Sequence, residues 1–256
     1  MKKPVNIALF GFGRIGRNIF RLGYDNPNYK FVAVSDFGSA EALHYLLSRD
    51  SVHGSMKEDV KLEKNHLVVK DQFVRVIQGG RPGNIPWDAF DVDVVIDATG
   101  QSLSRSDLEL HLKSGAKRVF TTKSPKNKID RYVIPGINEE TIKISDKVIS
   151  TTSSTTQVLA LMIKMLDETF GLERAMMTTV HAYTADQPLA DAAGIDLRRS
   201  RSAAENIIPN SSTAPEIVEK IMPQFSGKLD GIAFNVPVPN GSCVDLTTQL
   251  KTMPSI

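Results

Sequence analysis

The 256-residue sequence holds a single cysteine, Cys243, which excludes an internal disulfide and a metal site built from clustered thiolates. It also lacks an excess of charge of either sign. Its 31 lysines and arginines stand against 29 aspartates and glutamates, for a net +2, so nothing electrostatic points to nucleic acid or a membrane as partner, and any bound anion must be held locally. No stretch approaches the roughly 18 apolar residues of a membrane span. The short apolar run after Lys2 and Lys3 ends in Gly-Phe-Gly-Arg, without the small-residue cleavage site of a signal peptide. Low-complexity and Pro-rich linkers are missing. The five histidines, His44, His53, His66, His111 and His181, show no paired ligand spacing, which argues against a metal site. These absences leave a folded protein of a reducing, cytoplasmic compartment, long enough for two domains that each bury a core.

What is present begins at once. Val5 to Phe10 form a buried-strand run, followed by Gly11-Phe12-Gly13-Arg14-Ile15-Gly16 and a helical pattern with Ile19, Phe20 and Leu22. In that strand-turn-helix context Gly11 permits the tight turn, Gly13 lets backbone amides approach a pyrophosphate, and Gly16 allows close helix packing. A second strand, Phe31 to Val34, ends in Ser35-Asp36, with Asp36 twenty residues beyond Gly16. A carboxylate there accepts from ribose hydroxyls and repels a 2′-phosphate, which favours NAD over NADP. Further along come a helix over 40–47, short antiparallel runs at 60–62, 67–70 and 73–77, and an apolar strand over 92–97 closing on Ala98-Thr99-Gly100. A helix over 107–113 and a strand over 118–122, ending at Thr122, follow. Strand ends such as Thr99, Gly100 and Thr122 line the ligand crevice of a doubly wound sheet.

The stretch STTSSTTQ, residues 150–157, lies between a strand run (Lys147, Val148, Ile149) and an apolar helical run over 158–166. A hydroxyl-rich strand-to-helix turn is a common seat for a nucleophile, yet this one offers only oxygens.

Taken in order, NIALFGFGRIGRN (6–18), VAVSD (32–36), RDSVHG (49–54), IPWD (85–88), DATG (97–100), STTSSTTQ, TTVHAYTADQ (178–187), DLRRSR (196–201), NIIP (206–209) and GKLDGIAFNVPVPN (227–240) resemble the phosphorylating glyceraldehyde-3-phosphate dehydrogenase family. The resemblance spans essentially the whole chain. It implies a Rossmann-type NAD-binding domain, residues 1–153, followed by an α+β catalytic domain, residues 154–256, assembled as a homo-oligomer, a tetramer in the family. The implied reaction oxidises a small phosphorylated aldehyde: a thiolate adds to it, a histidine takes the proton, hydride passes to NAD, and inorganic phosphate releases the acyl group.

The family's Ser-Cys-Thr-Thr-Asn turn falls on Ser153-Ser154-Thr155-Thr156-Gln157, which puts Ser154 at the cysteine position, 27 residues before His181, the match to the general base. A thiol ionises near pH 8.5 and lower beside a histidine, whereas a serine attacks only while a base removes its proton. Weak or absent oxidative phosphorylation is the expectation. Cys243 is expected to be inert buried packing. An arginine that the family places before the Val-Pro is Asn235 here, and the Thr-Gly pair after NIIP is Ser212-Thr213. Thr155, Thr184, Asp186 and the arginines Arg198, Arg199 and Arg201 still match and can hold an anion, the alternative being that the arginines belong to a subunit contact or a solvated loop. Family members run on beyond LTTQLKTMPSI. If Ile256 is the natural end, the catalytic sheet is incomplete and exposes an edge or apolar face. Three readings stay open: an impaired dehydrogenase, a noncatalytic NAD-binding relative acting through subunit or partner contacts, and a shortened sequence of an ordinary relative.

Overall fold

Sequence periodicity becomes two units. The computed structural model describes residues 3–194 and 196–253, and the chain divides into one unit of Met1–Val133 with Glu140–Thr152 and another of Ile134–Glu139 with Ser153–Ile256. In the first unit the elements run β1 (Val5–Phe10), α1 (Arg14–Gly23), β2 (Tyr29–Asp36), α2 (Ala40–Ser48), β3 (Arg49–Asp50), β4 (Gly54–Ser55), β5 (Lys61–Glu63), β6 (His66–Val69) and β7 (Gln72–Gln78). Then come β8 (Val94–Asp97), α3 (Arg105–Lys113), β9 (Arg118–Thr121), β10 (Arg131–Tyr132) and β11 (Val148–Ser150). The second unit has α4 (Ser154–Phe170), β12 (Leu172–Ala182), β13 (Ile208–Ser211), α5 (Ala214–Ile221), β14 (Leu229–Val236) and β15 (Cys243–Leu250).

The first unit is built on one nine-stranded sheet of order β10-β11-β9-β8-β1-β2-β7-β6-β5. Its centre is parallel, and the three runs over 60–77 form antiparallel strands as their alternation suggests, with β7 also pairing in parallel to β2. β1 sits between β2 and β8, so the chain leaves it to one side through α1 and later returns on the other, which makes the carboxyl end of β1 a topological switch point. α1 turns Gly16, Phe20 and Gly23 inward at helical spacing. Phe20 is fully buried and meets the rings of Phe12, Tyr24 and Phe31.

A second buried aromatic group sets the pH response of this unit. Trp87 and His111 are both fully buried, and the Trp87 Nε1–H donates to His111 Nδ1 at 3.0 Å. The imidazole must then carry its proton on Nε2, which has no partner, and burial pushes its pKa down to about 4. Unfolded, the ring binds a proton near pH 6.5, so as pH falls from 6.5 to about 4 the unfolded state takes up the proton first and stability falls. The expected loss across that window is about 3 kcal/mol. His111→Gln, which offers Trp87 an acceptor but does not titrate, should flatten this part of the stability profile in urea melts.

The second unit carries a four-stranded mixed sheet of order β13-β14-β12-β15, with β12 and β14 parallel and the outer strands antiparallel to them. Helices α4 and α5 cover one face, packing Leu159, Ala160, Ile163 and Val218 on Ala175 and Met177. On the opposite face Met176 and Ile232 are exposed.

Two expectations are corrected here. The helix after the hydroxyl turn starts at Ser154, four residues before the apolar run suggested, because the Ser153 side chain caps it by accepting from the Thr156 N–H. Cys243 is exposed, not buried. It pairs with Val180 across β12 and β15, and side chains alternate along a strand, so Cys243 lies on the face opposite to that of His181.

Candidate active site

At the carboxyl ends of four neighbouring strands the first unit has a cleft of about 160 Å³ lined by Phe10, Gly11 and Gly13 at the end of β1, Asp36 and Phe37 at the end of β2, Gly79 and Gly80 after β7, and Thr99 and Gln101 after β8. Gly11 adopts φ +92°, and a Cβ there would stand 2.7 Å from the Thr99 nitrogen. Gly16 has no more room, since its Cβ would fall 2.2 Å from the Gly11 carbonyl oxygen. Gly13 differs: a Cβ there would meet nothing within 4 Å. The protein leaves that space open at the N-terminus of α1, whose Gly13 cap supplies no side-chain acceptor to the first-turn amides and whose first turn holds no acidic residue. The positive end of the helix dipole there suits a diphosphate.

Asp36 completes the cleft. Its Oδ2 accepts from the Phe12 N–H at 2.7 Å and its Oδ1 from the Gly38 N–H at 3.0 Å. Each oxygen keeps a further acceptor direction for a ribose hydroxyl. Arg14 and Ile15 open the helix, with Ile15 half in solvent. Thr99 donates through N–H and hydroxyl to Asp97 Oδ1, at 3.0 and 2.7 Å, and Thr122 donates to the Asp97 carbonyl. Gly100 turns the chain at φ +75°, and neither it nor Thr122 lines the cleft. The buried Asp97 has an unpartnered Oδ2, and desolvation raises its pKa despite the Thr99 contacts. Gly79 and Gly80 are cleft residues that motif reading passes over. Their signal was the Gly-Gly pair directly after the apolar run 73–77.

In the second unit, spacing turns into geometry. A 17-residue helix is about 26 Å long, and a strand covers that length in about eight residues. α4 ends before Gly171 and β12 begins at Leu172, so the 27 residues from Ser154 to His181 are about the sum of that helix and a return strand of matching length. Thr152 before the turn is buried and held at φ +63°, a conformation that is strained for a β-branched residue and that accumulates at functional turns. Ser153 is the cap, its Oγ 2.8 Å from Thr156 Oγ1. Ser154 is exposed at the first helical position and Thr155 is half-buried behind it. The Ser154 hydroxyl makes no hydrogen bond to His181 or to any other described residue.

His181 is half-buried near the end of β12, and its Nδ1 lies 2.6 Å from the Ala182 carbonyl oxygen. A carbonyl can only accept, so Nδ1 carries the proton and Nε2 is left with a lone pair. On the neighbouring strand Asn235 is in register with His181 and buried, and its Oδ1 accepts from Asn210 Nδ2 at 3.3 Å. Asn210 escaped the sequence reading, because its partner is set by the β13–β14 pairing and not by any motif. Beyond β12, the Thr184 hydroxyl donates to Asp186, which also takes the Arg199 guanidinium. Burial pulls the Asp186 carboxyl up, but Thr184 and Arg199 outweigh it and hold it below the ordinary carboxylate range. Arg201 pairs with Asp191 in an exposed bridge. Ser212 Oγ accepts from the Ala214 N–H at the start of α5, and Thr213, at the N-cap position, makes no capping bond.

Comparison with known proteins matches this division of labour. Residues 5–105 match the NAD binding domain of glyceraldehyde 3-phosphate dehydrogenase, and residues 153–256 match its C-terminal domain. Over 248 residues the chain is 42% identical to glyceraldehyde-3-phosphate dehydrogenase 1 of Bacillus subtilis (strain 168), covering 96% of this chain and 74% of that protein. The chain belongs to the glyceraldehyde-3-phosphate dehydrogenase family. The enzyme of Geobacillus stearothermophilus is 43% identical over 250 residues, 96% of this chain and 74% of its own. The cytosolic glyceraldehyde-3-phosphate dehydrogenase of Leishmania mexicana is 41% identical over 248 residues, with the same coverage. Glyceraldehyde-3-phosphate dehydrogenase family membership and the fit of the cleft make NAD the cofactor of the first unit.

Proposed function

We propose that this chain is an NAD-dependent oxidoreductase for a small aldehyde of the glyceraldehyde class, with Ser154 at the nucleophile position, His181 as general base, and turnover held low by the hydroxyl. The observation that carries this reading is the imidazole tautomer: Nδ1–H is fixed on the Ala182 carbonyl, so Nε2 is the atom that can receive a proton. Gly13, Asp36 and Thr99 meet the cofactor, Gly11 and Gly16 shape the turn that lets it approach, Arg14 and Ile15 open the helix beneath it, and Gly100 and Thr122 support the neighbouring strand ends from outside the cleft. Bound NAD supplies the hydride acceptor. Ser154 Oγ adds to the aldehyde carbon as its proton passes to His181, and the N-terminal amides of α4 stabilise the oxygen on which charge develops. An oxygen ester at Ser154 yields to phosphate less readily than a thioester, which limits the second half of the reaction. Thr155, Thr184, Asp186, Arg199, Ser212, Thr213 and Asn235 surround the substrate. Assembly into a homo-oligomer and a cytoplasmic location belong to the same reading, supported by the exposed Met176 and Ile232 and by the single free thiol.

The second reading, a noncatalytic NAD-binding relative, draws support from the unpartnered Ser154 hydroxyl. One experiment separates the two. The full chain is mixed with NAD and aldehyde, NADH is followed by absorbance, and the Ser154 peptide is weighed after acid quench. A sub-stoichiometric burst of NADH with an acyl mass on that peptide is expected. No NADH and an unmodified peptide, with NAD binding intact, would select the noncatalytic reading.

A further inference from the structure

The segment RDSVHG, residues 49–54, has no part in the function described so far, yet it is tied to α1 through polar and charged side chains. Arg21 Nη1 donates to the Gly54 carbonyl at 3.0 Å, and Asn18 Nδ2 lies 3.0 Å from His53 Nε2. The third contact is of a different kind. Arg17 Nη2 and Asp50 Oδ2 form an ion pair at 3.2 Å whose side chains are only 13% and 10% exposed. Burial pulls the Asp50 carboxyl up, but the His53 and Val52 amides and Arg17 outweigh it and hold its pKa down to about 2. Both partners are therefore charged at neutral pH. Removing two charges from water offsets most of their attraction, so such a pair is a poor source of stability and its geometry is the better guide to its use.

The other half of the guanidinium supplies that geometry. Arg17 Nη1 donates to the Phe12 carbonyl at 3.1 Å, and the Arg17 backbone N–H donates to the Gly13 carbonyl at 3.0 Å. The Phe12–Gly13 peptide is trans and peptides are planar, so with its carbonyl drawn toward Arg17 its N–H points the opposite way. Gly13 lines the dinucleotide cleft, with open space at its Cβ position, while Arg17 is absent from the lining. A rotated peptide would lose the donor that faces an anion and present a carbonyl oxygen instead. Resting on the placement of the NAD diphosphate at the N-terminus of α1, we propose that Arg17, braced by Asp50, is a positioning residue for the cofactor: it holds the Phe12–Gly13 peptide with its N–H side toward the diphosphate.

The test compares three probes on the full chain, NAD, ADP-ribose and adenosine, the last of which lacks the diphosphate. Thermal melts first establish that each variant is folded. Dissociation constants then come from calorimetry for NAD and ADP-ribose and from ligand-observed NMR for adenosine. Arg17→Met keeps the aliphatic stem but loses the donors, and it should weaken NAD and ADP-ribose by about tenfold or more while leaving adenosine within about twofold. Asp50→Asn still accepts from the Val52 and His53 amides and should show a smaller loss of the same pattern; it carries the test if Arg17→Met does not fold. Arg17→Lys, which retains one charged donor group, should recover part of the lost affinity. A merely structural Arg17 would weaken all three probes alike, and that result overturns the proposal. So does unchanged NAD affinity in a folded Arg17→Met protein. A wild type that binds ADP-ribose no more tightly than adenosine would overturn the diphosphate placement, and the proposal with it.

Discussion

Ser154→Cys should raise the rate of NADH formation from an aldehyde by on the order of 10²–10⁴, the range that separates an activated nucleophile from one awaiting deprotonation in the transition state. The expectation follows from where the residue sits. Ser154 is the first residue of a 17-residue helix, so a thiolate there would lie at the positive end of the helix dipole, which depresses thiol pKa values below 8.5. A serine hydroxyl gains from the same field only after it has begun to lose its proton. On the proposed reading His181 takes that proton, and the two side chains are not hydrogen-bonded in this structure. For the serine, both proton removal and approach must be achieved during the reaction. For the cysteine, ionisation precedes it. The pH profile provides a second readout: the variant's rate should climb with a single ionisation below pH 8.5, and iodoacetamide labelling at 154 should follow the same curve. A variant that labels readily yet forms no NADH would show that the rest of the second unit cannot support oxidation, and the noncatalytic reading would stand.

Much of this architecture was legible in the chain because its signals are local. The strand, Gly-x-Gly-x-x-Gly turn and helix occupy Val5 to Gly23 in one continuous stretch, and Asp36 follows at the end of the next strand. Each residue needs only its immediate neighbours to acquire its role. What the sequence hid depends on pairing between distant strands. Gly79 and Gly80 join the cleft because β7, after a hairpin excursion, docks beside β2 in parallel. Asn210 meets Asn235 only through the antiparallel register of β13 on β14. The face taken by Cys243 is set by its pairing with Val180 in the β12–β15 ladder, and one residue of slip would have turned the thiol inward. The early start of α4 had a different cause: a run of serines and threonines has weak helix propensity, and the Ser153 cap overrides it.

Gly13→Ala should leave the fold intact and remove most of the affinity for NAD, whereas Gly16→Ala should damage both. The contrast rests on two neighbouring glycines with opposite surroundings. At Gly13 the backbone has φ −71° and extended ψ, which alanine adopts without strain, and the added methyl meets no protein atom within 4 Å. Restricting the unfolded chain would even stabilise the variant by about 0.5 kcal/mol. The methyl would instead occupy the space over the first amides of α1, where a diphosphate must approach to van der Waals distance. Holding it off by the radius of a methyl group sacrifices several charge-assisted hydrogen bonds at once, each worth about 1.5–3 kcal/mol, so a loss of at least about a hundredfold in Kd is expected. At Gly16 the methyl would fall 2.2 Å from the Gly11 carbonyl oxygen, a backbone atom that cannot rotate away. α1 must lift from the turn, and with it Phe20 leaves the ring cluster of Phe12, Tyr24 and Phe31. Thermal melts with calorimetric NAD titrations on the two variants distinguish a ligand space from a packing contact. Unchanged NAD affinity in a folded Gly13→Ala protein would mean that the open volume above α1 is not where the diphosphate binds.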